Sequence, residues 1–301
     1  MNGVVHTPAA IAAALRETSI IHGDIGLMDN RNNLTYSDRK NIFIKVTRPG
    51  FPNKQLETEL SLALEYGSEI MLEPLYDSLI PVGSSSLSIW KYEELKVYEN
   101  HNLTPSNAYE LALELTKVHH LARPTKTHME EMKDFGRLKN TIEMRIAVAL
   151  ENGMEQKYIN ILRALSKKFL ERKISSDNLV LNHGDTHVGN SAYRKQLRHA
   201  AWFDFESARL APREFDVATL RTNLLLVGKN PKAWEAALEV FSETPLNESY
   251  MELFTVSRLI SMTSYLLLHT VHYSLAIERL TILEKLLSGS QMPLNFPSEI
   301  S

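Results

Sequence analysis

Apolar positions follow two different periods along the chain, and the change of period divides it. Alternation prevails in the first part. Residues 33–37 and 41–46 alternate on either side of the polar run Asp38, Arg39 and Lys40, a pattern that predicts a hairpin. Lys45 falls in its second strand, between Ile44 and Val46. Ser19, Ile20 and Ile21 predict the start of an earlier strand. The stretch 22–33, with Gly23 and Gly26 among Asp and Asn, reads as a loop because those residues favour turns and positive φ. Two further strands are predicted at 70–75 and 87–90, separated by a Pro, Gly and Ser stretch at 81–86. Helical spacing enters twice. An Ala-rich helix at 9–18 has Thr7 as cap and Pro8 in its first turn. A longer one at 52–66 has Leu56, Leu60, Ala63 and Leu64 at helical spacing, Gly67 at its end, and Glu57 and Glu59 along it.

After Tyr92 the period becomes helical. Helices are predicted at 104–120, opened by Thr104 and Pro105, and at 137–150, 155–172, 214–227, 232–241, 248–268 and 275–287, with one short strand at 179–181. The order implies an α+β fold of two parts: residues 1–92 as a small lobe built on strands, residues 93–301 as a larger, mainly helical lobe, and a cleft between them.

Composition narrows the class without choosing a function. A chain of 301 residues with 44% hydrophobic and 23% charged residues is ordinary for a soluble globular protein. A net charge of -3 provides no basic field for a nucleic-acid backbone. The absence of cysteine removes disulfides, thiolate metal sites and thiol nucleophiles. No segment reaches 18 apolar residues and no positively charged run precedes the first apolar stretch, so a cytoplasmic protein with no membrane partner is expected.

The chemistry concentrates in 181–206, LNHGDTHVGNSAYRKQLRHAAWFDFE. Asp185, Asn190 and Asp204 follow the D-x-x-x-x-N and D-F order in which phosphoryl-transfer enzymes place a hydroxyl-orienting carboxylate and two metal ligands. Polar residues at 194–198 between 191–193 and the apolar run 200–203 predict a hairpin centred near Leu197. Its open end would set Asn190 and Asp204 roughly 5 Å apart, two oxygen ligands facing one hard cation such as Mg2+. Asp185, in a glycine-containing loop, would orient an incoming hydroxyl and take its proton. Lys45, held by a carboxylate on the following helix, would meet nucleotide phosphates; the plainer reading is a solvated lysine on an exposed strand face.

Other polar residues have structural readings. His183 and His187 suggest a metallohydrolase, but the further His and Asp clusters that such an enzyme needs are not visible. His183 is read as packed beneath the loop, His187 as hydrogen-bonded near it, and Asp216 as a buried carboxylate bracing the loop. Glu206 stands open between a place beside the metal and a place on the surface. For His119 and His120, one core and one surface histidine are expected. His22, Gly23 and Asp24 repeat the H-G-D triplet, but Asp29 occupies the place where an asparagine would be needed.

The blocks HGDTHVGN at 183–190, WFDFE at 202–206 and APREFDVA at 211–218 together resemble the signature of the aminoglycoside phosphotransferase family, kin to choline kinases and protein kinases. The resemblance implies a two-lobed protein-kinase-like fold with a small antiparallel-sheet N-lobe. It implies transfer of the γ-phosphoryl group of ATP or GTP, with Mg2+, to a hydroxyl of a small molecule. Asp185 matches the catalytic aspartate, Asn190 and Asp204 the magnesium ligands, and Lys45 the nucleotide lysine. Glu57, seven residues before Leu64, fits best as the partner of Lys45, with Glu59 second. The segment 89–93, with Trp90, Lys91 and Tyr92, resembles the linker whose backbone meets adenine. The helices at about 127–172 and 248–287 are expected by analogy to line the acceptor site. Two departures stand out: 22–33 has no G-x-G-x-x-G, and Ala211 replaces a common glycine before Pro212. A kinase-fold binding or regulatory protein without catalysis is the alternative, and a metal-dependent hydrolase ranks third. Near-equal numbers of basic and acidic residues after residue 92 leave the acceptor open.

Overall fold

A computed structural model of the protein describes residues 8–17, 25–29, 34–38, 40–47, 53–82, 85–125 and 129–290. The elements in chain order are α1 (Pro8–Glu17), β1 (Gly26–Asp29), β2 (Leu34–Ser37), β3 (Ile42–Val46), α2 (Lys54–Tyr66), β4 (Ile80–Val82), β5 (Ser85–Lys91) and β6 (Leu95–Val97). They continue as α3 (Pro105–His120), α4 (Gly136–Glu151), α5 (Gln156–Leu170), β7 (Val180–Asn182), β8 (Ser191–Arg194), β9 (His199–Trp202) and β10 (Arg209–Ala211). Last come α6 (Glu214–Arg221), α7 (Pro231–Phe241), α8 (Glu248–Leu266) and α9 (Tyr273–Glu284). The chain divides into two compact units, one of Met1–Val97, Ala122–Met129 and Asn190–Ala208, the other of Tyr98–Leu121, Glu130–Gly189 and Arg209–Ser301.

The first unit is built on an antiparallel sheet in the order β1-β2-β3-β5-β4. Asp38 sets the β2–β3 turn by accepting the backbone N–H groups of Lys40, Asn41 and Ile42 on one carboxylate oxygen. Because side chains alternate across a strand, Ile42, Ile44 and Val46 share one face, packed with Ile11 and Leu15 of α1 and with Leu87 and Ile89 of β5. Burying each such side chain contributes about 1.5–3 kcal/mol. The same alternation turns Phe43 and Lys45 to the opposite face, where their partners across β5 are Trp90 and Ser88. A second sheet, β6-β8-β9, belongs to this unit too. Arg194 of β8 pins it, donating to both oxygens of Glu93 at 2.6–3.0 Å and to the carbonyl of Ser68 at 2.6 Å.

Several predicted strands change. Residues 26–29, read as loop, form β1, an edge strand held by backbone pairing with β2, whose Leu27 and Met28 are exposed. With Gly26, Leu27 and Met28 all exposed, it leaves no alternation in the sequence. The apolar run 70–75 makes only the isolated bridge Pro74 to Trp90, since proline has no N–H to extend a ladder. Its neighbours still lie along β5: Leu75 N–H donates to the Ile89 carbonyl, and Lys91 N–H to that of Glu73. The other half of that edge is taken by β4, within the stretch read as a turn. The strand start at 19–21, the cap at Thr7 and the triplet at 22–24 lie outside the described residues.

The second unit is mainly helical, with the short antiparallel pair β7-β10. Helix α3 begins as the Thr104 cap predicts, its side chain accepting the Asn107 N–H. Phe254 of α8 packs against Phe135, Phe215 and Tyr250, with ring centroids 5.4–5.9 Å away. After α6 the backbone widens into a π turn, Thr222–Val227. Ala211 sits fully buried in β10, opposite Val180, so the strand accommodates alanine where a glycine is common. No helix of the described residues is long and apolar enough to cross a membrane.

Candidate active site

The candidate residues fall into two groups, one in each unit. In the first unit the centre is Lys45, buried, with its Nζ donating to Glu59 Oε2 at 2.7 Å, Asp204 Oδ1 at 2.7 Å and Glu206 Oε1 at 3.1 Å. Glu59 uses its other oxygen to accept the Phe205 N–H at 3.1 Å, which ties α2 to the turn that carries Asp204 and Glu206. Burial disfavours the charge on Lys45, but Asp204, Glu59 and Glu206 outweigh it and hold the ammonium well above its ordinary pKa. Glu59 is raised to about 7, chiefly by burial, with Lys45 opposing the rise and Glu206 and Asp204 adding to it. Three carboxylates around one ammonium leave surplus negative charge. Oxygen atoms of Glu59, Asp204 and Glu206 lie within 4.8 Å of one another, a hard donor set that fits Mg2+.

The partner of Lys45 is therefore Glu59, and Glu57 is exposed. Leu64, seven residues after Glu57, is itself 43% exposed and so does not mark the buried face. On the helix the buried residues are Leu56, Leu60, Leu62 and Ala63; at about 100° per residue Glu59 falls inside their arc and Glu57 outside it.

The hairpin forms as predicted, with Arg194 opposite His199 and Ser191 opposite Trp202. Its register sets Asn190 beside Phe203, whose N–H donates to the Asn190 carbonyl at 3.0 Å. Asp204 follows one residue beyond, in the left-handed region at φ 70°. In the linker, Trp90 is buried near Phe43, its ring centroid 6.4 Å away, and donates its indole N–H to Ser88. The Lys91 and Tyr92 N–H groups donate to the carbonyls of Glu73 and Asn41. Those two amides are thus engaged within the protein. The Lys91 ammonium pairs with Glu73 at 2.8 Å on the surface.

In the second unit Asp216, fully buried near the start of α6, organises the Asp185 loop. Its two oxygens accept the N–H groups of His183 at 2.7 Å and Gly184 at 2.9 Å, and its carbonyl accepts the Thr186 hydroxyl. Gly184 has φ +90°, which lets the chain turn sharply before Asp185. His183, fully buried, accepts the Asp185 N–H on Nδ1 at 3.2 Å. These contacts match the structural readings of Asp216 and His183. The loop continues through the His187 N–H, which donates to the Asp185 carbonyl, and the Val188 N–H, which donates to Asn223 Oδ1 at 3.0 Å. Asp185 itself is half-buried, with Arg258 of α8 at 2.9 Å and His187 Nε2 at 3.6 Å. Burial lowers the pKa of Arg209 and Arg137 adds to that, while Glu130, Asp216 and Asp185 oppose it.

Sequence reasoning missed four residues. Glu206, left open above, joins the lysine cluster, brought round by the short 3-10 turn Phe205–Ser207. His119 is the core member of the pair for which one core and one surface histidine are expected, and it meets Asp216 at 3.2 Å, a contact the sequence does not indicate. Asn223 had a local signal, a lone amide immediately before the apolar run 224–227. Arg258 had none, standing far along the chain from Asp185.

An antiparallel sheet presenting a carboxylate-bound lysine, and a helical unit presenting a braced H-G-D aspartate, define the class of small-molecule phosphotransferases with a kinase-like fold. Residues 59–248 match the model of the phosphotransferase enzyme family (APH), and the chain belongs to that family. No curated protein matches it in sequence. Among solved structures it is similar to spectinomycin phosphotransferase APH(9)-Ia in complex with ADP and spectinomycin, at 17% identity and TM-score 0.56 over 91% of each chain. It is similar to the GDP complex of aminoglycoside 2'-phosphotransferase-IIIa, at 12% identity and TM-score 0.65 over 93% of this chain and 99% of that one. It is also similar to choline kinase from Cryptosporidium parvum Iowa II, at 14% identity and TM-score 0.66 over 93% and 95%. At such identities the likeness is one of fold.

Proposed function

We propose that the protein transfers the γ-phosphoryl group of ATP or GTP to a hydroxyl of a small molecule. The observation that carries this reading is Lys45 held at 2.7 Å by both Glu59 and Asp204, since a buried lysine so fixed suits the charge of nucleotide phosphates. Residues 1–92 hold the nucleotide, and 93–301 supply catalysis and the acceptor site. Asn190 and Asp204 are the residues that would hold Mg2+, which supplies charge neutralisation on the donor phosphates. Asp185 orients the acceptor hydroxyl. The hydroxyl oxygen forms a bond to the γ-phosphorus, the bond from that phosphorus to the bridging oxygen breaks, and its electron pair leaves on the nucleoside diphosphate. The hydroxyl proton passes to Asp185 late in the step. Asp216 and Asn223 keep the loop that carries Asp185 in one conformation, so that little reorganisation accompanies the reaction. A cytoplasmic setting, where the nucleotide is supplied, follows from this reading.

The test is acceptor-dependent release of ADP or GDP across a library of hydroxyl compounds in the presence of Mg2+. Release that requires a hydroxyl compound supports the reading. Nucleotide binding without any turnover would favour a kinase-fold binding protein, and phosphate release without an acceptor would favour a hydrolase.

A further inference from the structure

Asp185 has an arginine on it, and a second arginine lies further along the same helix face. Arg258 lies 2.9 Å from Asp185 Oδ1. Ser261, one turn further along α8, offers its carbonyl to Arg145 of α4 at 2.9 Å, and the Ser264 hydroxyl receives the same nitrogen at 2.8 Å. The Arg145 guanidinium sits 5.4 Å from the centre of the Tyr265 ring. Arg258, Ser261 and Tyr265 are spaced by three and four residues and so share one face of α8. That face, which carries Arg258, meets Asp185 and Arg145 in succession.

The charges there are not balanced. Burial lowers the pKa of Arg145, Tyr265 opposes this, and Arg258 adds to it. Among the described residues no carboxylate forms an ion pair with Arg145. The acids of α4 lie on its other faces: Glu143, two positions from Arg145, pairs with Arg163 at 3.1 Å, and Glu151 is six positions away. On α8, Glu252 and Glu248 precede Arg258 by roughly 9 and 15 Å along the axis. A half-buried guanidinium without a counter-ion, next to another guanidinium, is unfavourable by itself and is relieved by an anion with oxygen acceptors.

We propose that the acceptor carries an anionic oxygen group, a carboxylate or a phosphate, held by Arg258 and Arg145 while its hydroxyl meets Asp185. The proposal rests on the phosphotransferase reading and names the acceptor class within it. Arg258 touches Asp185, and Arg145 touches Ser261 and Ser264 roughly 5–9 Å further along α8, so the anionic group lies close to the hydroxyl and a short compound is selected. An amine-rich or quaternary ammonium acceptor meets two like charges and is disfavoured.

The test is calorimetric titration of the full chain, first saturated with Mg2+ and a non-hydrolysable ATP analogue, with glycerate, glycerol 3-phosphate, inorganic phosphate, glucosamine and choline. At least one of the anions binds, and Arg145→Gln weakens it by about tenfold or more, the effect of losing a charge-assisted contact. Arg145→Lys, which keeps the charge, recovers part of the loss. Turnover of glycerate against glycerol 3-phosphate separates the carboxylate from the phosphate source. Tighter binding of glucosamine or choline than of any anion would overturn the proposal, as would no anion binding at all or an anion affinity indifferent to Arg145→Gln. Thermal melts of both variants establish that they are folded. Failure of the nucleotide analogue to bind in the first stage would instead refute the phosphotransferase reading, and the acceptor proposal with it.

Discussion

Glu59 grips Lys45 with one carboxylate oxygen and the backbone N–H of Phe205 with the other, so one side chain fixes both the lysine and the turn after Asp204. Glu59→Gln should therefore lower kcat/KM by about 10–100-fold, while Glu57→Gln, on the exposed side of α2, leaves it within about twofold. Glu59→Ala leaves Lys45 with Asp204 and Glu206 but strands the buried Phe205 N–H, at a cost of about 1–3 kcal/mol of stability in denaturant titrations. Equal effects of the two Gln variants would contradict the assignment.

Asp185→Asn keeps the shape of the loop side chain but cannot take a proton. Acceptor-dependent turnover is expected to fall by about 10²–10⁴-fold, while nucleotide affinity stays near that of the wild type. Single-turnover and binding measurements on the same preparation separate the two effects.

Asp204→Ala removes a proposed metal ligand and one partner of Lys45. Nucleotide should still raise the melting temperature of the wild type more with Mg2+ than without it, because a ligand of the native state stabilises in proportion to its affinity. In the variant that difference should disappear. A persisting magnesium effect would place the metal elsewhere.

Asn223→Ala leaves the buried-side Val188 N–H without its acceptor, at a cost of about 1–3 kcal/mol. Because the lost contact holds the loop of Asp185, kcat should fall with little change in the KM for nucleotide. Nearby, a Cβ at Gly228 would lie 3.0 Å from the Asn223 carbonyl oxygen and 3.2 Å from the Asn100 side chain, so Gly228→Ala should lower stability through crowding.

The chemistry was legible in the sequence where it is local. Asn190 and Asp204 stand at the two ends of one hairpin, so its register fixes their places; the face of Lys45 follows from strand alternation. The helical wheel also separates Glu59 from Glu57 when drawn from the buried Leu56, Leu60 and Ala63, and fails to do so when drawn from Leu64, which faces solvent. Arg258 was not legible, because its contact with Asp185 depends on how α8 packs against the loop and on nothing near either residue in sequence. Strand β1 escaped for a related reason: its backbone hydrogen bonds define it, and these leave no trace in side-chain pattern. The run 70–75 misled in the opposite sense, apolar enough for a strand but interrupted by Pro74.

An ammonium has three protons to donate, and in this structure Glu59, Asp204 and Glu206 accept from Lys45 at once. The lysine can greet a phosphate only by releasing one of those acids, which then needs a cation of its own. Nucleotide and divalent metal should accordingly bind with positive cooperativity, each raising the affinity of the other by the same factor. The resting cluster is thus a closed ring of exchangeable partners, and the free energy of entry into it is set by the swap rather than by any single contact.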